Sequence, residues 1–269
     1  MEINSLAFQT DLYFHRFTGI VLEYDNFLVV KNPRNPTFFW GNLLYFKDPP
    51  DQLALNNWTD LFKKEFQDMD VQHMTFAWDA LDGEEGSAIH FVENGFNLEK
   101  SLVMMADDIY RPAKINEKFN IRVIESEQDW NQVIDNHVAC RAPHFNKYSY
   151  RKFSSKRIAD YRSMVNSTCG VWMGAFLDDK LVGDLGLFYE NGVGRFQVVG
   201  THPDFRRMGV CSTLLYKSCL YGQKYFNISK FIIVADPDYH AANIYQSIGF
   251  STREIQIGLC KFNKEVWVT

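Results

Sequence analysis

The residues best suited to chemistry lie in Thr201-His202-Pro203-Asp204-Phe205-Arg206-Arg207-Met208-Gly209-Val210-Cys211-Ser212. The stretch reads as the end of a strand stopped by Pro203, a basic loop with one glycine, and the start of a helix at Ser212-Thr213-Leu214-Leu215. In outline that is an anion site. Amides at a helix N-terminus lack intrahelical acceptors, the helix dipole favours negative charge there, and Arg206 and Arg207 add charge-assisted hydrogen bonds, so a pyrophosphate could be held. Gly209 lets the main chain approach the anion because it carries no Cβ. Cys211, at the same helix start, is either a thiol of lowered pKa or a small packing residue, and packing is the simpler reading. His137, His144 and His240 show no metal-ligand spacing, so no metal is expected.

Around this loop are 269 residues, room for two ordinary domains. With 46% hydrophobic residues, 23 Phe, 13 Tyr and 6 Trp, the chain has ample material for packed cores and does not resemble a disordered one. Its apolar runs are too short for a membrane helix, and Met1-Glu2-Ile3-Asn4-Ser5 lacks the basic and apolar regions of a secretory signal. A cytoplasmic, non-membrane protein is the expectation. Cys140, Cys169, Cys211, Cys219 and Cys260 are scattered without a C-x-x-C pair, which suits reduced thiols. A balance of 28 basic and 33 acidic residues, net −5, offers no nucleic-acid surface.

The elements that must position the loop follow from periodicity. In the first half, Ile20–Lys31 reads as two strands around an Asp-Asn turn, Thr37–Phe46 as a buried strand, and Gln52–Phe66 as a helix. His73–Trp78 reads as a strand, Ala88–Asn94 as a short helix closed by Gly95, and Leu102–Met105 as a strand before a charged linker at Lys114–Lys118. In the second half, a strand at Asn120–Ile124 precedes helices from Ser126 to Cys140 and over Tyr150–Asn166. Strands at Val171–Leu177, Leu181–Tyr189 and Arg195–Gly200 lead into the loop and a helix ending near Phe226. A strand at Phe231–Val234, a helix at Tyr239–Ser247 and two closing strands around Glu254–Phe262 complete the order β-α-α-β-β-β-α-β-α-β-β.

This order and three motifs resemble the GCN5-related N-acetyltransferase (GNAT) family. Its Q/R-x-x-G-x-G/A signature is matched by Arg206-Arg207-Met208-Gly209-Val210-Cys211, with cysteine in the last small position. The lead-in Val199, Thr201, Pro203 and the downstream Ala241, Ile244, Tyr245, Gly249, Phe250 are also similar to family features. The resemblance covers about residues 120–262 and implies a mixed α/β (α+β) fold, a mostly antiparallel central sheet flanked by helices, with a splayed strand pair at the acetyl-CoA site. It implies that backbone at Val199 and Thr201 pairs with the pantetheine amides. Amides from Arg207 through Ser212, with Arg206, would hold the pyrophosphate. Tyr245 would be the general acid and the Val199 N–H the donor to the carbonyl oxygen. Asp238, where relatives often have Asn, would contact the pantetheine arm only as an acceptor.

The first half echoes the second: Phe91-x-x-x-Gly95-Phe96 repeats Tyr245-x-x-x-Gly249-Phe250, each after a strand ending in aspartate (Asp79, Asp236). Two tandem GNAT-like domains are expected, a degenerate one at 1–115 and a catalytic one at 120–269. The degenerate copy has Lys47-Asp48-Pro49-Pro50 where a phosphate loop would stand, and its expected role is to pack and to wall the acceptor site. Acyl transfer from acetyl-CoA to a primary amine of a small molecule or peptide also asks where the amine's proton goes. Arg195–Gly200 carries no carboxylate, so Asp184, Glu190, His202 and Asp236 are the alternatives, or the proton passes to solvent. Phe38, Phe39, Trp40, Trp58 and Trp78 either line an acceptor pocket or, the reading preferred, pack a core. The rival function is a non-catalytic acyl-CoA-binding sensor or interaction module.

Overall fold

The computed structural model describes residues 1–113, 115–238 and 241–262. The regular elements begin with α1 (Leu6–Thr18), β1 (Ile20–Glu23), β2 (Phe27–Lys31), β3 (Leu43–Phe46), α2 (Ala54–Glu65), β4 (His73–Trp78), α3 (Ile89–Glu93) and β5 (Asn97–Ala106). They continue with β6 (Asn120–Val123), α4 (Glu127–Cys140), α5 (Lys147–Asn166), β7 (Gly170–Leu177), β8 (Lys180–Glu190), β9 (Val193–Thr201), α6 (Val210–Phe226), β10 (Lys230–Ala235), α7 (Ala241–Gln246) and β11 (Ser251–Phe262). The class is mixed α and β with mostly antiparallel strands. The chain forms two compact units, Met1–Val103 with the residues from Arg253 on, and Met104–Thr252.

In the first unit the strands run in the order β1-β2-β3-β4-β11-β5. β3 and β4 are parallel and stay paired to their ends, Leu44 with Phe76, Tyr45 with Ala77 and Phe46 with Trp78, and the Asp79 amide donates to the Phe46 carbonyl at 3.0 Å. Phe46 stacks on Trp58 of α2 at 3.8 Å, and Trp58, Trp78, Phe76 and Phe91 share one apolar core, so Trp58 and Trp78 are packing residues. Helix α1, which the opening sequence does not announce, is capped by Ser5, whose hydroxyl accepts from the Phe8 amide. Its Phe8 stacks on Tyr45 at 3.5 Å. The expected strand over Thr37–Phe46 is shorter. Asn42, fully buried, donates to the Asn35 and Phe38 carbonyls and accepts from the Asn32 amide, so the chain turns through a 3₁₀ segment at Phe39–Gly41 before β3 begins.

β11 is one continuous strand, not the two closing strands expected. It runs antiparallel to β4, pairing Gly258 with Ala77 and Phe262 with His73. Its Ile257 and Leu259 join the core around Phe76, which is why this last strand, assigned by sequence to the second domain, lies from Arg253 on in the first unit.

The second unit has the order β10-β9-β8-β7-β6. Ser126 caps α4, and Asp129 in its first turn takes two hydrogen bonds from Arg122, at 2.7 and 2.8 Å. Asn191 and Gly192, both at positive φ, turn β8 into β9. The internal echo is structural as well. After α3 the Phe96 amide donates to the Phe91 carbonyl (3.1 Å) across Gly95 at φ 86°. After α7 the Phe250 amide donates to the Tyr245 carbonyl (3.2 Å) across Gly249 at φ 115°. Both glycines sit where a Cβ is disfavoured and the helix must stop. Tyr239 and His240, at the expected start of the last helix, Lys114, at the start of the expected linker, and residues 263–269 lie outside the described residues.

Candidate active site

β9 is the organising strand. On one side it pairs with β8, with a register shift between Asp184, opposite Gly200, and Gly186, opposite Gln197. The extra residue is a β-bulge, and within it Val198 adopts φ 51°. A β-branched residue in that region is strained, at a cost on the order of 1–2 kcal/mol, so its surroundings must hold it. On the other side, β9 pairs in parallel with β10 only from Val193 to Arg195, opposite Lys230 to Ile232. Beyond Arg195 the two strands part, leaving one edge of β9 from residue 196 to Thr201 without a β10 partner.

The loop follows immediately. Pro203–Phe205 forms a 3₁₀ turn, Arg207 is left-handed at φ 63°, and Gly209 caps α6 at φ 80°. Two left-handed residues within three positions turn successive amides into a concave, anion-binding arrangement at the N-terminus of a 17-residue helix. A residue the sequence did not single out holds this loop: the Asn116 side-chain amide donates to the Met208 carbonyl at 2.9 Å, and its backbone amide donates to the Thr213 hydroxyl at 2.9 Å. Arg206 turns back, its Nε donating to the Thr201 carbonyl at 3.4 Å.

A cleft of about 360 Å³ opens between the parted strand and this loop. Its wall includes Val199, Thr201, Arg206, Arg207, Gly209, Val210, Cys211 and Ser212, and across from them Ala241, Ile244 and Tyr245 of α7. Among the expected site residues, Met208 is exposed and Asp238 is exposed in the turn after β10, where its amide donates to Asp236 at 2.9 Å; neither lines the cleft. The Tyr245 side chain is buried and lies near Phe250. Cys211 does not have a lowered pKa: burial pushes its thiol up to about 12, so it stays neutral and packs. The arrangement suits a ligand with a phosphate-bearing end at the α6 loop and an extended polar arm along the free edge of β9, ending near the Tyr245 side of the cleft.

The four groups expected as alternative bases stand elsewhere. Asp184 is fully buried and accepts from Asn136, His137 and Trp172. Glu190 lies at the far end of β8 opposite Val193, His202 accepts from the Asp204 amide at 3.3 Å, and Asp236 is exposed in the turn after β10. Among the described residues, no three His, Cys, Asp or Glu side chains form a metal-binding group. No helix among them is long and apolar enough to cross a membrane.

Residues 130–250 match the sequence profile of the acetyltransferase (GNAT) family. By this match, residues 130–250 are similar to a GNAT domain. No curated protein matches the chain. Among solved structures it is similar in fold to a functionally unknown conserved protein from Staphylococcus epidermidis, with 17% identity, 94% of this chain and 97% of the other covered, and a TM-score of 0.75. It is also similar to a GCN5-related N-acetyltransferase from Kribbella flavida, with 13% identity, coverage of 94% and 93%, and a TM-score of 0.63. A tandem GNAT protein from the clavulanic acid biosynthesis pathway is 10% identical over 78% of this chain and 70% of its own, with a TM-score of 0.53. The GNAT profile spans α4 through α7, and so includes the bulge, the loop and Tyr245.

Proposed function

We propose that the second unit transfers an acetyl group from acetyl-CoA to a primary amine of a small molecule or peptide, by direct attack in a ternary complex. The observation that carries this reading is the parting of β9 from β10 beside the α6 loop, within one cleft that also holds Tyr245. Acetyl-CoA supplies the thioester, whose C–S bond breaks as the amine forms the new C–N bond. The α6 loop amides and Arg206 and Arg207 hold the pyrophosphate. Backbone at Val199 and Thr201 pairs with the pantetheine arm, and the Val199 N–H donates to the carbonyl oxygen as charge develops. The Tyr245 hydroxyl gives its proton to the departing sulfur. The amine's proton leaves to solvent, in keeping with the absence of Asp184, Glu190, His202 and Asp236 from the cleft wall.

The first unit is read as the degenerate copy. Its β3 and β4 remain closed where β9 and β10 part, and the Asp79 carboxylate there accepts from the Asn4 backbone and side-chain amides, the Ser5 amide and the Tyr45 hydroxyl. The N-terminal residues are therefore tied to the chain just past the end of this closed strand pair.

A panel of polyamines, amino sugars, amino-acid amides and short peptides, followed by release of CoA thiol, tests the activity. We expect turnover with at least one amine, and a loss of at least about tenfold in kcat for Tyr245→Phe with CoA affinity retained. Lack of a base among the described residues of the cleft wall favours one second reading, a non-catalytic acyl-CoA-binding module. Tight acetyl-CoA binding without turnover of any amine would establish that module instead.

A further inference from the structure

The strained bulge of β9 needs support, and the structure contains a device in the right place. Asp184 on β8 is 0% exposed and faces Gly200 across the ladder, at the edge of the bulge. Its Oδ2 accepts from Asn136 Nδ2 at 2.6 Å, and its Oδ1 accepts from His137 Nε2 at 2.9 Å and from Trp172 Nε1 at 3.0 Å. Three donors from α4 and β7 thus converge on one carboxylate. One turn further along α4, the Cys140 thiol donates to the Thr201 carbonyl at 3.2 Å. α4 packs directly on the strand here: a Cβ on Gly200 would stand in ordinary contact with Asn136 Nδ2, at 3.4 Å, and Cys140 Sγ, at 3.8 Å. α4 is therefore anchored on β8 through Asp184 and laid against β9 at Gly200 and Thr201, directly beside Val198.

We propose that Asp184, with Asn136, His137 and Trp172, is a positioning cluster that holds the β9 bulge, and with it the Val199 N–H, in the geometry used for acetyl transfer. This rests on the acetyltransferase reading above. The carboxylate is sealed from the cleft, so it acts through α4 and β9 and does not exchange protons with the amine. The α6 loop has its own anchor in Asn116, so loss of the cluster falls mainly on the reacting end of the site.

The test uses Asp184→Asn, which keeps the shape but turns a donor toward donors, and Trp172→Phe, which removes one N–H and keeps a ring. Acetyl-CoA and the best amine of the panel give kcat and KM. Selective ¹⁵N-valine labelling of the full-length protein, with Val199 assigned by substitution, gives the Val199 amide signal, and thermal melting monitors folding. We expect Asp184→Asn to lower kcat by at least about tenfold, with a smaller rise in KM for acetyl-CoA. Trp172→Phe should lower kcat less, and the Val199 signal should move in both. A folded Asp184→Asn with wild-type kcat or an unmoved Val199 signal overturns the proposal. So does a variant in which KM alone changes. If the wild-type protein acetylates no amine, the proposed function fails, and the Val199 signal alone then decides the positioning role.

Discussion

Gly209 concentrates the demands of the loop in one residue. At φ 80° it starts α6, and any side chain there strains the backbone while facing the cleft. Gly209→Val should cost roughly 1 kcal/mol in stability and abolish the thermal shift produced by CoA. Asn116→Ala removes the bond to the Met208 carbonyl from the opposite side. It should raise KM for acetyl-CoA several-fold and cost about 1 kcal/mol, read by steady-state kinetics and urea denaturation. The two residues differ in how far they can be read from sequence. Gly209 stands in a local pattern of arginines, a small residue and a helix start. Asn116 reaches its partner across 92 positions, and nothing near it in the chain signals that contact. Val198 is less legible still. In a run of β-formers it reads as ordinary strand, and only the pairing of β8 with β9 makes it the left-handed residue of a bulge.

At the level of elements, the contrast between β3–β4 and β9–β10 separates the two copies: one parallel pair is zipped, the other parts after three residue pairs. The zipped pair depends on Asp79, which gathers α1's entry and Tyr45 onto one carboxylate. Burial and that carboxylate together push the Tyr45 hydroxyl well above its ordinary pKa, so it stays a donor. Asp79→Ala leaves those donors unmatched and should destabilise the protein by about 1–3 kcal/mol, measured by urea denaturation, without changing CoA affinity. The strong periodicities of α2, α4, α6 and the β7–β8 hairpin were legible in the chain. α1 was not, because its buried residues Phe8, Leu12 and His15 are spaced among other aromatics that blur the stripe. The expected strand over 37–46 failed for a different reason: Asn42 offers the backbone side-chain partners that compete with a ladder.

For the whole molecule, acid stability follows from two buried imidazoles, His15 and His73, both in the first unit. Burial lowers each to about 4, opposed by Asp11 for His15 and by the Asn42 and Phe39 carbonyls for His73. The unfolded chain binds these protons near its ordinary pKa of about 6.5, while the folded chain refuses them until about 4. Stability is therefore fully present above about pH 6.5 and falls as the pH drops toward about 4, by up to about 1.4 kcal/mol per pH unit for each group. The urea midpoint should fall over that range, and His73→Gln should flatten the slope.

The placement of β11 bears on how the molecule is made. Its residues enter the first unit between β4 and β5, and Gly258 fits so closely that a Cβ would lie 2.8 Å from the Phe76 carbonyl oxygen and 2.9 Å from the Trp40 ring. A ribosome emits residues 1–103 first, yet their sheet waits for a strand synthesised some 150 residues later. During synthesis the edge of β4 stays open until residues 253–262 emerge, so the half of the protein born first is the half completed last.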